Sequence, residues 1–335
     1  MSFQHPPIAV SVIIPAYNAA PWLPMLFNGL DAQSFRNFEV IFINDGSTDE
    51  TANLLDSYAA EHSNVEVIHQ PNLGVAVARN TGLDAAVGKY VAFVDADDAI
   101  APSYLEKLVS LADSLDLDIA FCGAWRFIKT PGDMTDANLL IHPKPQGVVP
   151  GKEWLERTVA DKEWFAVVWA SLFRRGFIED HNFRFAEGAL ASEDVLWGVA
   201  LQPRAKRVAF TPETTYYYRY TPGSIINDNS TKGKIKRIRG NTSVVEELLS
   251  MSDSESSPLV ESFRALALEN GRLLLGEVAE LPSLKQRIII SSHLRKRGFL
   301  SRLLRETKIK SHKKRILTAY FFSLLEIFTF PDHPV

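Results

Sequence analysis

The chain contains the stretch Tyr90-Val91-Ala92-Phe93-Val94-Asp95-Ala96-Asp97-Asp98, in which an apolar segment of strand length ends in three carboxylates. Similar short apolar segments lie at 9–14, 38–43, 65–68 and 118–123. Helix-length segments separate them at 21–33, 48–62, 74–87 and 102–115. Alternation of helices with nearly all-apolar strands is typical of a parallel sheet covered on both faces. The first 125 residues therefore predict an α/β fold with a mainly parallel sheet flanked by helices.

The composition is that of an ordinary globular protein. Of 335 residues, 46% are hydrophobic and 23% are charged, which excludes collagen-like, disordered and disulfide-rich classes. The only cysteine, Cys122, has no partner for an internal disulfide and lies in an apolar run, so we expect a buried thiol. Because we find neither a secretory signal at the start nor an apolar run of ~18 residues, we expect a cytoplasmic protein without a spanning helix.

The sequence pattern changes after residue 125. Pro, Gly and polar residues at 130–150 predict a surface loop. Beyond it we expect helices at 151–160 and 193–202, strands at 206–210 and 214–219, and then a helical pattern from 231 to about 328, broken at 250–257 and at Pro282. The length suggests about two domains, which we assign to 1–230, with halves at 1–125 and 126–230, and to a helical region at 231–335.

Polar clusters follow three of the predicted strands. They are Pro15-Ala16-Tyr17-Asn18, Asn44-Asp45-Gly46-Ser47-Thr48-Asp49 and Asp95-Ala96-Asp97-Asp98. Ligands of such sheets bind at the carboxyl ends of the strands, where these clusters converge. One binding site is therefore the simplest interpretation.

The acidic cluster indicates a cation. Three carboxylates within four residues repel one another, and carboxylate oxygens suit Mg²⁺ or Mn²⁺, which are usually shared with substrate phosphates. The alternative is a helix-capping cluster ahead of Pro102. The other two strand-end clusters favour the metal.

Three further side chains are candidates for ligand binding. Asp45 could accept a hydrogen bond from a base N–H and Tyr17 could stack on the ring, although an Asx turn and a surface aromatic remain open. Arg79 follows the turn Asn72-Leu73-Gly74 and could hold a diphosphate or an acidic loop, although a lone helical arginine is often a surface residue.

A second pair of carboxylates, Glu193 and Asp194, opens the apolar segment that begins at Val195. Adjacent carboxylates can divide the roles of general base and support for that base. Helix capping together with Ser192 is the alternative, and for these residues taken alone it is the stronger one.

The ordered set of motifs resembles the family 2 glycosyltransferases. The resemblance rests on 12–18, 44–49, 72–82 and 94–98, is strong over 8–125 and weaker over 160–225, and implies a GT-A, Rossmann-like fold. It implies that Pro15, Tyr17 and Asp45 contact the nucleotide base, with Asn18 and Arg79 also on the donor side. Asp95 would approach the ribose.

The resemblance also implies the catalytic groups. Asp97, with Asp98 assisting, would bind a divalent metal (Mn²⁺ or Mg²⁺), and Arg219 would hold the diphosphate or the acceptor. Asp194 would be the general base, with Glu193 beside it.

The implied reaction is inverting transfer of one sugar from a nucleotide-sugar donor, with UDP-sugars favoured, to a glycan or lipid-linked glycan acceptor in cell-surface polysaccharide or lipopolysaccharide assembly. The chain lacks the Gln-x-x-Arg-Trp element of processive synthases after Glu193-Asp194, which favours a non-processive enzyme. A metal-dependent phosphatase and a membrane-associated scaffold with a vestigial site are the alternatives.

The C-terminal region is strongly basic. Ten basic residues against Glu306 give 292–315 a charge of +9, which leaves −13 for the rest of a chain whose total is −4. Apolar residues interleave with the basic ones through 330, a pattern that favours an anionic membrane surface on the inner face of the cytoplasmic membrane. Packing on the rest of the chain or in a homo-oligomer stays open, and we expect no nucleic-acid partner.

Overall fold

A computed structural model gives the fold and describes residues 7–129, 138–141, 147–165, 168–188, 192–221, 228–254 and 259–306, with 313–314, 316–317 and 319. The chain divides into two compact units. The first comprises Met1–Trp154, Phe165–Gly188 and Trp197–Thr221, and the second comprises Leu155–Trp164, Ala189–Leu196 and Pro222–Val335.

The described residues form nine strands of one curled sheet. They are β1 (Val10–Ala16), β2 (Phe38–Asp45), β3 (Val65–Gln70), β4 (Tyr90–Phe93), β5 (Ala99–Ile100), β6 (Ile119–Phe127), β7 (Asn138–Ile141), β8 (Ser171–Arg174) and β9 (Val208–Arg219). Their order is β3-β2-β1-β4-β8-β6-β9-β5, with β7 beside β6. Strands β3, β2, β1 and β4 are parallel, β8 is antiparallel to both of its neighbours, and β6 and β9 are parallel.

The helices alternate with these strands and then follow them. They are α1 (Leu23–Asp31), α2 (Thr51–Glu61), α3 (Val75–Ala85), α4 (Tyr104–Leu115), α5 (Gly151–Ala160), α6 (Arg175–Asp180), α7 (Glu193–Leu201), α8 (Thr231–Ser254), α9 (Leu259–Ala279), α10 (Leu284–Lys296) and α11 (Phe299–Glu306). The predicted α/β class, with its helical C-terminal region, is confirmed.

The apolar strands are buried because helices cover them. In β1 every residue except Pro15 is buried, as expected of a nearly all-apolar strand in a covered sheet. Helix α3 lies close to this strand at Gly82, where a Cβ atom would sit 2.3 Å from Ile13 Cγ2. This close approach fixes the position of α3, the helix that also carries Arg79.

Five elements differ from the sequence-based expectation. Strand β7 lies inside the predicted loop at 130–150, and the two strands expected at 206–210 and 214–219 are the single strand β9. The short strands β5 and β8 and the helix α6 were not predicted. Strand β8 is antiparallel and only four residues long, so its pairing with β4 and β6 leaves little periodicity to detect.

The second unit contains the C-terminal helices. Helix α8 packs against α9, and the Arg237 guanidinium bridges them by donating to both Glu277 carboxylate oxygens, at 2.8 and 3.0 Å. Helix α8 continues to Ser254, inside the interruption expected at 250–257, whereas the break around Pro282 separates α9 from α10 as expected.

The basic segment is partly paired within this unit. Arg297 forms an ion pair with Glu246 at 2.6 Å, and Arg302 forms one with Asp253 at 2.5 Å, so both residues are held by carboxylates of α8. Lys308, Lys310 and Arg315, with the predicted apolar stretch at 320–330, lie outside the described residues. Over the described part of the chain, every helix is too short or too polar to cross a membrane.

Candidate active site

The loops after β1 and β2 are joined by hydrogen bonds at the carboxyl edge of the sheet. Asn18, which has a left-handed backbone with φ of 50°, accepts from the Thr48 N–H through Oδ1 at 2.8 Å. Its own N–H donates to Ser47 Oγ at 3.1 Å, and the Ala19 N–H donates to Thr51 Oγ1 at 2.8 Å. Asn18 therefore links two of the three polar clusters.

Asp45 ends β2 and is 4% exposed. Its carboxylate accepts from the backbone N–H groups of Leu73 and Gly74, both at 2.9 Å, and from Gln70 Nε2 at 2.8 Å. These donors belong to β3 and to the turn after it. Asp45 therefore stabilises the turn at 71–74, and its side chain does not form the Asx turn that was the alternative. A carboxylate offers about four acceptor positions, which leaves room for one base N–H. The Tyr17 ring lies at the surface and is 52% exposed.

Arg79 contacts the acidic cluster. The residue is 4% exposed, and its guanidinium donates from Nη2 to Asp95 Oδ1 at 2.9 Å and lies 5.3 Å from the centre of the Phe185 ring. The sequence predicts a diphosphate or an acidic loop as the partner of Arg79, and the structure shows the contact with the acidic loop. The next residue, Asn80, exchanges two hydrogen bonds with the Phe185 backbone, at 2.8 and 3.0 Å. Sequence analysis did not single out Asn80, although it stands within the 72–82 motif.

Asp98 is the interior member of the acidic cluster. It is 1% exposed, accepts from the Tyr216 hydroxyl through Oδ2 at 2.6 Å and accepts from the Arg219 backbone N–H through Oδ1 at 2.7 Å. Burial, together with the charges of Asp97 and Asp95, raises the pKa of Asp98 well above its usual value. Both oxygens of this carboxylate therefore face β9. Tyr216, whose hydroxyl also accepts from the Asp95 N–H at 3.2 Å, is not among the predicted site residues.

Asp97 is half-buried, unlike the fully buried Asp98, and its pKa is also raised. Burial and the nearby negative charge of Asp95 raise its pKa to about 6. Within the ranges that the structure describes, no three His, Cys, Asp or Glu side chains converge on a metal position. Magnesium ions are commonly held by one or two carboxylates plus substrate phosphates, so Asp95 and Asp97 fit a cation shared with a diphosphate. A cation there would also offset the repulsion that raises the pKa of Asp97.

Arg219, at the end of β9, is 5% exposed. Its guanidinium donates from Nε to the Asp97 carbonyl oxygen at 2.7 Å and lies between two aromatic rings, 4.7 Å from the centre of Trp22 and 4.5 Å from that of Phe127. The side chain predicted to hold a diphosphate or an acceptor therefore bonds the acidic turn itself.

Glu193 and Asp194 form the first turn of α7, in a part of the chain that belongs to the second unit. Glu193 is buried, and Asp194 Oδ1 accepts from the Val195 N–H at 2.8 Å. Ser192, with φ of 75°, precedes them. The predicted helix start is confirmed, and the catalytic role of the two carboxylates stays a prediction.

The expected burial of Cys122 is also confirmed. Cys122 is fully buried, and burial raises the pKa of its thiol to about 12. Trp169 is 6% exposed and stacks on Tyr216 and Tyr218, with ring centres 4.8 and 5.3 Å apart, so its indole is packed inside the protein.

Comparison with known proteins identifies the sequence family. The family model described as glycosyl transferase family 2 matches residues 11–181. The uncharacterized glycosyltransferase YibD of Escherichia coli (strain K12) is 38% identical over 210 residues, 62% of this chain and 60% of that protein. The uncharacterized glycosyltransferase EpsJ of Bacillus subtilis (strain 168) is 32% identical over 222 residues, 64% and 62% of the two chains. The matched region thus spans about 60% of these relatives.

Solved structures share the fold. S. aureus TarS 1–349 in complex with UDP-GlcNAc has a TM-score of 0.59 and 19% identity over 93% of this chain and 91% of that chain. The mannosyltransferase PcManGT from Pyrobaculum calidifontis in complex with GDP-Man and Mn²⁺ has a TM-score of 0.53 and 19% identity over 96% and 88%. At these identities the likeness concerns the fold alone, and it confirms the predicted GT-A architecture.

Proposed function

Because the chain belongs to glycosyltransferase family 2, we propose that it transfers a single sugar from a nucleotide-sugar donor to an acceptor hydroxyl, inverting the anomeric configuration. The observation that carries this proposal is the cluster at one edge of the sheet, where Asp45 anchors the turn after β3 and Asp95 and Asp97 share the acidic turn after β4. Sheets of this kind bind nucleotides at that edge.

The donor would lie along the strand ends. The base would rest against Pro15 and Tyr17 and donate an N–H to Asp45, with Asn18 holding the loop and Arg79 holding Asp95 beside the ribose. We favour a UDP-sugar. The solved structures of similar fold include complexes with UDP and UDP-GlcNAc, and also one with GDP-Man, so donors of both kinds enter the test.

Asp97 and Asp95 would hold a divalent cation, Mn²⁺ or Mg²⁺, which supplies charge stabilisation for the departing diphosphate. Asp98 supports this turn from the interior, because both of its oxygens already accept hydrogen bonds from β9. We therefore propose Asp97 rather than Asp98 as the ligand.

Asp194 would take the proton of the acceptor hydroxyl as that oxygen attacks the anomeric carbon, with Glu193 supporting it. The first turn of a helix favours a negative charge, which suits a carboxylate that must be ionised to act as a base. A single displacement of this kind inverts the anomeric centre. The first 230 residues would form the catalytic domain, with a nucleotide-sugar-binding half at 1–125 and an acceptor half at 126–230.

The acceptor would be a glycan or lipid-linked glycan in cell-surface polysaccharide or lipopolysaccharide assembly. The basic segment at 292–315 supports this choice of pathway, because it would keep the enzyme on the anionic inner face of the membrane where lipid-linked acceptors lie.

Asp194→Asn tests the reaction. Removing a general base should lower turnover by about 10²–10⁴-fold while leaving donor affinity near the wild-type value. Turnover is measured as release of nucleoside diphosphate and as mass gain of the acceptor, and donor affinity by calorimetry. Near-normal turnover would show that Asp194 is not the general base. Full activity in excess EDTA would show that the reaction needs no metal.

A further inference from the structure

The acidic turn at 95–98 is held from the carboxyl end of β9, more than 115 residues away in the sequence. Tyr216 and the Arg219 backbone N–H bind the Asp98 carboxylate, Arg219 Nε binds the Asp97 carbonyl oxygen, and Thr221 Oγ1 lies 3.4 Å from Asp97 Oδ2. These contacts act on the backbone and on both of the last two carboxylates of the turn. The end of β9 and Thr221 therefore hold the acidic turn that carries the Asp97 carboxylate.

The Arg219 side chain, which donates to the Asp97 carbonyl oxygen, is itself immobilised. The guanidinium lies between the Trp22 and Phe127 rings, and Nη2 contacts Met25 Sδ at 2.8 Å. Planar stacking of this kind is specific to arginine, because a lysine ammonium has neither the flat surface nor the directed Nε donor. Arg219 is only 5% exposed, so its guanidinium points into the protein.

We propose that Arg219 is a positioning residue, which holds the acidic turn in place for the donor and its cation through the Asp97 backbone instead of contacting the diphosphate. This inference rests on the proposed function for its consequence in donor binding, but the position of the turn can be measured without any ligand. Partners that orient metal-binding groups typically change metal affinity about 10–100-fold when removed.

The test compares Arg219→Met with Arg207→Met in the full-length protein. Methionine fills the space between two rings well, so it removes the guanidinium hydrogen bond to the Asp97 carbonyl oxygen while keeping much of the packing and the backbone N–H bond to Asp98. Arg207 is the matched control, because its exposed guanidinium also donates to backbone carbonyls, those of Leu115 and Asp116, but just before β9 begins. Hydrogen exchange of the metal-free proteins is followed by mass spectrometry, and Mn²⁺ binding in the presence of UDP by electron paramagnetic resonance.

We expect Arg219→Met to accelerate exchange at 95–98 about tenfold or more, the effect of losing a charge-assisted hydrogen bond, while exchange at 119–125 keeps its wild-type rate. We also expect Mn²⁺ to bind about 10–100-fold more weakly in this variant, whereas Arg207→Met should change neither quantity. Wild-type exchange at 95–98 in Arg219→Met, whatever happens to UDP affinity, would overturn the proposal in favour of direct donor contact. Equal acceleration throughout the sheet would overturn it in favour of general stability.

If the wild-type protein binds no Mn²⁺ with UDP, the metal-dependent UDP-sugar site of the proposed function fails. The exchange comparison still decides the role of Arg219, because it needs neither metal nor nucleotide.

Discussion

The Asp97→Asn substitution should make the metal-free protein more stable at neutral pH. Burial and the charge of Asp95 raise the pKa of Asp97 from 3.8 to about 6. Asparagine has nearly the same shape and no charge, so it removes the cost of ionising this site. The acidic cluster thus costs stability when no cation compensates it.

The magnitude follows from the two pKa values. The native protein keeps the Asp97 proton up to about pH 6, whereas the unfolded chain releases it near 3.8. The native state therefore binds more protons in this window, so the contribution of Asp97 to the free energy of unfolding falls as the pH rises through it. The full interval corresponds to about 3 kcal/mol, of which about 2 kcal/mol falls between about pH 4.5 and pH 7.5.

Urea denaturation in EDTA at these two pH values measures the effect. The difference in unfolding free energy between Asp97→Asn and wild type should shift by about 2 kcal/mol in favour of the variant at the higher pH. Asp113→Asn is the control. Burial raises the pKa of Asp113, but hydrogen bonds from Lys89 and Tyr90 outweigh this effect and hold the pKa below its usual value, so this carboxyl is largely ionised in both the folded and the unfolded protein across the pH window. Its substitution should therefore change the unfolding free energy by nearly the same amount at both pH values. An Asp97→Asn difference that is the same at both pH values would refute the reasoning.

Three further outcomes are expected. Tyr216→Phe removes a hydroxyl that donates to the buried Asp98 carboxylate at 2.6 Å, and it should lower the free energy of unfolding by about 1.5–3 kcal/mol in urea titrations; an unchanged midpoint would contradict this. Cys122 should not react with a thiol reagent near pH 8 until urea unfolds the protein, because its pKa is about 12 and it is buried; immediate reaction would show that the sheet opens at β6. A chain ending at Glu306, which keeps all of α11, should float less with anionic liposomes than the full chain, and equal flotation would reject membrane attachment through 307–335.

The parallel half of the sheet could be predicted because the signal for each of its strands lies within a few adjacent residues. Strands such as β1 and β2 are buried on both faces, so they appear in the sequence as apolar runs separated by helix-length segments. Strands β5, β7 and β8 are two to four residues long, and the positions of β5 and β8 depend on partners, β9 for β5 and β4 and β6 for β8, that are distant in the chain. Their pairing energy comes from tertiary contacts, which no short sequence window contains.

The sequence predicts which residues of the candidate site lie together, but not the separate role of each residue. Parallel topology brings Asp45 and the acidic turn to one edge, and the motifs indicate this from spacing alone. Asp97 and Asp98 look equivalent in sequence. Only the fold shows that Asp98 faces Tyr216 and β9, because that strand lies far along the chain. The same separation hides the role of Arg219, whose side chain closes over the turn.

Calorimetric titration of the full-length protein with a panel of UDP-, GDP- and dTDP-sugars tests the central claim most directly. Each donor is titrated with Mn²⁺ and with EDTA, into the wild type and into Asp97→Asn. The account predicts that at least one donor binds the wild type in Mn²⁺ and that EDTA or the substitution weakens this binding about tenfold or more. Absence of binding by every donor, or binding that neither EDTA nor Asp97→Asn changes, would contradict a sugar-nucleotide site built on the acidic turn.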